Sequence, residues 1–302
     1  MKDIKNISKN LKLPVIVAPM FLISNPNMVI ECCKNGVIGS FPALNQRTSD
    51  GFETWLKQIT GELTENDAPF AVNLIVNPVN KRLEEDLKLC IQYKVPIIIT
   101  SLGIKPDLID AVHSYGGLVY HDITTIKHAK KAVNAGVDGI IAVAAGAGGH
   151  AGTLNPFALV NEIREFFDGT LILAGSISNG RNIRAAQIMG ADFAYMGTRF
   201  INTEESAANN EYKEMINTSS AADIIYTAAV SGVPANFMAQ SLEKAGINSD
   251  NKDNEKSSLK DLNDEAKAWK NIWSAGHGVG TIKNVTTTKA LIQNLKNEYE
   301  NT

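Results

Sequence analysis

Cysteine is scarce in this chain, and its three copies exclude more than they suggest. Cys32, Cys33 and Cys90 are an odd number at spacings that fit neither a zinc site nor a disulfide framework, and adjacent cysteines rarely bridge one another. A reducing, cytoplasmic setting is the simpler expectation. Long apolar runs are missing as well: no stretch approaches the ~18 residues a membrane helix needs, so no membrane partner is expected. The segment Leu13-Pro-Val-Ile-Val-Ala-Pro19 is too short for the apolar core of a signal peptide and is followed by polar sequence. Charge of one sign is also lacking. With 29 basic and 32 acidic residues the formal net charge is -3, which gives no electrostatic reason to expect nucleic acid. A small-molecule substrate is the default.

What the chain does have is repetition. At 302 residues it can bury a substantial core as one large domain with an insert. Its first two thirds repeat a short apolar or β-branched run, a small or turn residue, and a polar stretch with helical spacing, the signature of βα units. Strands are expected at 15–18, 36–40, 70–74, 96–101, 118–121, 139–143, 171–174 and 192–196. Eight is the number that closes a parallel barrel. Helices are expected at 25–35, 81–92, 124–135, 156–167 and 179–189, where apolar residues recur at i, i+3 and i+4. Gly36, Gly136 and Gly190 follow helix ends, and Pro26 and Pro156 open helices.

After Phe200 the pattern changes. Segments 204–217, 221–229 and 242–269 read as helical with no further strand, so 203–270 is expected to be a helical insert over the barrel mouth. Within it, 248–258 is the most polar and most mobile part. Segment 284–299 is expected to be a closing helix, so that 1–202 and 271–302 form the barrel. The expected class is therefore α/β, a TIM (β/α)8 barrel with a helical insert after the eighth strand. A Rossmann-type open sheet is the main competitor, but it leaves the eighth strand and its glycine unexplained.

The most informative stretch is Ala142-Val-Ala-Ala-Gly-Ala-Gly-Gly-His-Ala-Gly152, which sets His150 among four glycines at the end of the sixth expected strand. Glycine there allows a sharp turn and close approach of a flat ligand, and the imidazole can hold or release a proton near neutral pH. In such a barrel the ligand sits at the C-terminal strand ends, with phosphate in the loops after strands seven and eight. Those loops, 174–180 and 196–198, offer Gly175, Ser176, Gly197 and Thr198, and the first leads into a helix N-terminus. Together they point to a phosphorylated cofactor. Ala18-Pro19-Met20 offers a backbone and a soft side chain to a ring system, and Asn73, polar within an apolar run, either braces a loop or faces a ligand.

These pieces, with Gly148-Gly149-His150-Ala151-Gly152, Met196-Gly197-Thr198 and the late Trp273-Ser-Ala-Gly-His-Gly-Val-Gly280, resemble the nitronate monooxygenase family, formerly the 2-nitropropane dioxygenases. The likeness runs from about residue 13 to about residue 283. It implies FMN in a TIM barrel, no metal, and oxidation of nitronates by molecular oxygen, with a homodimer compatible with it. Carried across, Met20, Asn73, Gly148, Gly149, Gly175, Ser176, Met196, Gly197 and Thr198 would contact FMN, with His150 beside the reactive face as a general base or as an anchor for the nitro group. Three positions depart from the pattern: Ser176 replaces a glycine, and Val143 and His277 replace glutamines. The runner-up is an NAD(P)H-using FMN reductase of the enoyl-acyl-carrier-protein or quinone type, followed by a non-catalytic FMN-binding protein.

Of the other histidines, His277 and His121 are further pocket candidates, His121 being as readily a residue satisfied by backbone. His113 and His128 read as solvated. Phe21 and Tyr195 either wall the pocket or belong to the core. Lys213, Glu204 and Glu205 read as solvated helix faces.

Overall fold

A computed structural model describes residues 9–247 and 271–302. Eight parallel strands follow the order β1 (Val15–Val17), β9 (Phe193–Met196), β8 (Thr170–Ala174), β6 (Gly139–Val143), β5 (Leu118–Ile123), β4 (Ile97–Ser101), β3 (Phe70–Ile75) and β2 (Gly39–Pro42). Val17 N donates to Ile38 O and Ile38 N to Val15 O, which brings the two edges together through an Ile16–Ile38 bridge and closes the barrel. The fold is the expected TIM barrel.

Period-two alternation builds its two layers. Ile16, Ile97, Ile99, Tyr120, Ile141, Ile172 and Phe193 fill the interior, while Ile98, Val119 and Ile140 face the surrounding helices. Two barrel helices, Ser49–Glu62 and Pro106–Ser114, add to those expected. The second strand begins later than expected, because Gly36 turns the chain at φ +85°.

The closing helix is Thr288–Glu300. Leu291, Ile292 and Leu295 pack with Val17, Met28, Ile183 and Phe200, and each such burial stabilises by roughly 1.5–3 kcal/mol. A β-carbon at Gly180 would lie 2.3 Å from Tyr299 N and 2.4 Å from Leu295 O, so only glycine lets this helix dock. Glu205, read as solvated, instead accepts from Thr288 N and Oγ1 and caps the helix.

The insert departs from the all-helical expectation. Its helices Asn210–Thr218 and Ala239–Lys244 flank two strands, β10 (Ile224–Thr227) and β11 (Ala235–Met238), which pair antiparallel with each other and with the two-residue β7 (Gly149–His150). Segment 221–229 is strand rather than helix after a single turn: Ser220 and Asp223 close a capping box, and β-branched Ile224 and Ile225 then favour extended backbone. Lys213 is buried, and burial pulls its pKa down against the pull of Glu205 and Glu204. His113 is not simply solvated either; its Nε2 lies 2.7 Å from Asp138 Oδ2. The polar stretch 248–258 and most of the expected helix 242–269 lie outside the described residues. No helix among the described residues is long and apolar enough to cross a membrane.

Candidate active site

A cavity of about 1810 Å³ opens at the C-terminal ends of the strands. Met20, Phe21, Asn73, His121, Gly148, Gly149, His150, Gly175, Ser176, Gly197 and Thr198 all line it. Two expected residues do not. Met196 points its side chain outward into the cluster around Val17 and Phe200, as alternation along β9 requires, and only its carbonyl is engaged, accepting from Ala18 N. His277 is exposed and lies outside the lining, although Gly276 and Gly278 on either side of it belong to the wall.

His150 is positioned by the insert. Its strand β7 is held in register opposite Ala235 and Asn236 of β11. Gly149 N donates to Ser274 Oγ at 2.6 Å, Ser274 Oγ donates to Asn236 O at 2.7 Å, and Asn236 Nδ2 donates to Ala147 O at 2.6 Å. Tyr212 donates its hydroxyl to Ser274 O and stacks on Trp273 with ring centroids 5.0 Å apart. Tyr226 donates to Ala151 O at 3.0 Å. The imidazole lies deep enough that burial pushes its pKa down to about 4, so it is neutral at physiological pH.

Segment 274–278 crosses the loops after β6, β8 and β9. Gly276 N donates to Thr198 Oγ1 at 2.9 Å, and Gly146 O accepts from His277 N. A β-carbon at Gly148 would sit 2.9 Å from Gly276 N and 3.0 Å from Ala275 C, both immovable backbone. Ser176 N also donates to Gly146 O, at 3.3 Å, so the amide expected to meet a phosphate is engaged within the protein. The helix after β8 corrects a second expectation: Glu298 Oε2 accepts from Gly180 N at 2.7 Å, so a carboxylate of the chain already occupies that N-terminus. The surfaces left for an anion there are Gly175, the Ser176 hydroxyl, Gly197 and Thr198.

On the floor, Ser101 and Asp122, which sequence reasoning passed over, join Asn73, which it singled out. Asn73 Nδ2 donates to Ser101 Oγ at 2.8 Å and to Ile99 O at 3.2 Å, and Ser101 Oγ donates to Asp122 Oδ2 at 2.5 Å. With both amide hydrogens engaged, Asn73 offers the cavity its carbonyl oxygen, and Asp122 offers carboxylate oxygen. Burial pushes the Asp122 carboxyl up to about 6, against the lowering effect of the Ser101 hydrogen bond. Tyr195 completes the floor. His121 is largely satisfied locally, with Nδ1 2.8 Å from Thr100 Oγ1, and burial pulls its pKa down to about 4. One signal was available for Asp122: a carboxylate at the C-terminal end of a barrel strand, beside a histidine already singled out.

Acceptors on the floor suit a ring carrying N–H groups, the Met20 thioether suits its face, and glycines with hydroxyls at β8 and β9 suit a phosphate tail. The residues present therefore fit a flavin nucleotide. Fold and site together define an oxidoreductase of the flavin-dependent barrel class. The sequence matches the family model for nitronate monooxygenase over residues 78–298, and the chain belongs to that family. The probable nitronate monooxygenase of Staphylococcus saprophyticus is 26% identical over 274 residues, covering 75% of each chain. A (3aS,4S,5R,7aS)-5-hydroxy-7a-methyl-1-oxo-octahydro-1H-indene-4-carboxyl-CoA dehydrogenase of Rhodococcus jostii is 28% identical over 237 residues, 77% of this chain and 65% of that protein. Among solved structures, FabK from Thermotoga maritima superposes with a TM-score of 0.82 at 25% identity, covering 99% of this chain and 96% of that one. The nitroalkane oxidase of Streptomyces ansochromogenes has a TM-score of 0.79 at 24% identity over 98% of both chains, a likeness of fold.

Proposed function

We propose that the protein binds FMN across the mouth of the barrel and oxidises nitronates with molecular oxygen to carbonyl compounds and nitrite. The observation that carries this reading is His150, neutral and held by the insert at the rim of a cavity that fits a flavin. Bound FMN supplies the electron-accepting chemistry. Gly175, Ser176, Gly197 and Thr198 would hold its phosphate, and Met20, Asn73 and Asp122 would face its ring.

The lowered pKa of His150 chooses between its two roles. A base whose conjugate acid has a pKa of about 4 is poorly matched to abstracting a proton from a neutral nitroalkane. A neutral imidazole is well suited to hydrogen-bond an anion that is already deprotonated, so His150 orients the nitronate and the substrate enters as the anion. Tyr212, Tyr226 and Trp273, from the insert and the segment that follows it, wall the cavity and limit water.

The test is nitrite release and oxygen uptake by the FMN-loaded protein with propionate 3-nitronate, beside an anaerobic cell containing NADH or NADPH. Nitrite formation with nitronate, and much less with the parent nitro compound, is the expected result. Rapid flavin reduction by a nicotinamide with no response to nitronate would replace this reading with a reductase.

A further inference from the structure

The top layer of the barrel interior is polar where the layer beneath it is not. Alternation turns Ala71, Ile99 and Tyr120 inward, and the residues two further along each strand, Asn73, Ser101 and Asp122, form the next layer and line the cavity floor. We propose that Asp122 acts as a neutral carboxylic acid beneath the bound cofactor, donating a hydrogen bond from Oδ1 to a ring carbonyl, so that FMN binding takes up a proton at this residue. The inference rests on the flavin covering the floor, as proposed above.

The direction of the hydrogen bonds is the first observation. Both hydrogens of Asn73 Nδ2 are committed, to Ile99 O and to Ser101 Oγ, and the one hydroxyl hydrogen of Ser101 goes to Asp122 Oδ2. Oδ2 is thereby fixed as an acceptor, and a proton on this carboxyl belongs on Oδ1. With that proton the floor presents an acceptor, Asn73 Oδ1, together with a donor, Asp122 Oδ1. A ring that carries N–H beside C=O is matched by such a pair, whereas two acceptors would leave the carbonyl without a partner.

Charge balance is the second observation. Among the described residues no ion pair includes Asp122. Ser101 of β4 and Asn73 of β3 are neutral, and β6 brings Ile141 opposite it. Tyr195 of β9 is the titratable group that faces it; burial holds the phenol well above its ordinary value and the Asp122 carboxylate adds to that, so Tyr195 keeps its proton. His121 on β5 itself turns away onto Thr100, with His128 and Lys131 of the following helix (Ile126–Asn134) as its neighbours. His150 of β7 is neutral. A carboxylate on this floor therefore has one hydroxyl to stabilise it and no cation. Burial already pushes it up to about 6, and a ring laid over the floor removes the remaining water and pushes in the same direction. A nitronate is itself an anion, and a neutral acid below it removes the repulsion that a carboxylate would bring.

Titration calorimetry of FMN into the full chain, in buffers of different ionisation enthalpy, counts the protons taken up. At about pH 6.5 wild type is expected to take up about half a proton more per FMN than Asp122→Asn, the cofactor's phosphate contributing equally to both. Wild-type affinity relative to that variant should fall about tenfold between pH ~5.5 and pH ~8.5, the effect of a pKa raised by about one unit on binding. Ser101→Ala removes the hydrogen bond that favours the carboxylate, so its uptake should be smaller than wild type, the acid being more protonated before FMN arrives. A residue that only braces the floor would weaken FMN equally at every pH and leave the proton count unchanged. FMN binding with the same proton count in wild type, Asp122→Asn and Ser101→Ala would overturn the inference and leave the flavin site standing. Failure of FMN to bind wild type would overturn the reading beneath it as well.

Discussion

The two sides of the barrel mouth are made from different materials. From β6 to β9 the wall is backbone: Gly146 O, Gly148 and Gly276 N lie against one another, and three loops are stapled by main-chain hydrogen bonds. From β1 to β5 the wall is side chain, with leucines, Arg47, Lys81 and the Asn73–Ser101–Asp122 chain. A backbone wall tolerates almost no substitution and suits an invariant group such as a cofactor. A side-chain wall is easily altered and suits the group that distinguishes one substrate from another.

The largest expected effect falls on the backbone side. In Gly276→Ala the new β-carbon would lie 2.6 Å from Gly146 O and 3.0 Å from Gly148 N, so the stapled loops must part. Urea unfolding should show a loss of about 1–3 kcal/mol. A stability equal to wild type would mean that the two loops do not depend on each other.

Asp122 sharpens the comparison on the other side. Its folded pKa, about 6, lies above the ordinary carboxyl value, so its contribution favours folding below pH ~4 and is lost as pH rises through about 6. Asp122→Asn should therefore be more stable than wild type at pH 8, by about 2 kcal/mol, and no different near pH 3.5. The same variant should abolish any inflection near pH 6 in nitrite release.

His121 and His150 behave in the opposite sense. Their folded pKa values are depressed to about 4, so the stability they contribute is present above pH ~6.5 and is lost as pH falls through about 4. A melting temperature that declines between pH 6.5 and 4, and declines less in His121→Gln, is the expected pattern. Smallest is Leu102→Gly, in which relief of the left-handed strain is offset by glycine's greater unfolded-state entropy and by lost leucine burial, so the urea midpoint should report a change of less than about 1 kcal/mol.

Much of the backbone side was legible in the sequence, because glycine placement and strand periodicity are local signals. Gly148, Gly149, Gly175, Gly197 and Thr198 were found by position at strand ends, and all line the cavity. The insert was legible only as an interruption. Strands β10 and β11 pair with each other as a local hairpin, but the second partner of β11 is β7, 85 residues earlier by the Ala235–His150 register, and no local pattern encodes that one. Asn236, which holds the backbone before His150, was invisible for the same reason, and Ser274 was legible only as part of the late Trp273–Gly280 motif, not as an acceptor for Gly149 N. Met196 was assigned from its motif without asking which way alternation along β9 turns it, and Lys213 was read from its charge rather than from the face it buries.

On the proposed reading the glycine side holds the flavin and the cationic side does not. Reconstituting apo-protein with FMN and reading the dissociation constant by fluorescence quenching, for wild type, Gly148→Ala and Arg47→Ala/Lys81→Ala, tests it most directly. FMN affinity at least tenfold weaker in Gly148→Ala and unchanged in the double variant is the predicted result. Affinity lost in the double variant and kept in Gly148→Ala would contradict the claim.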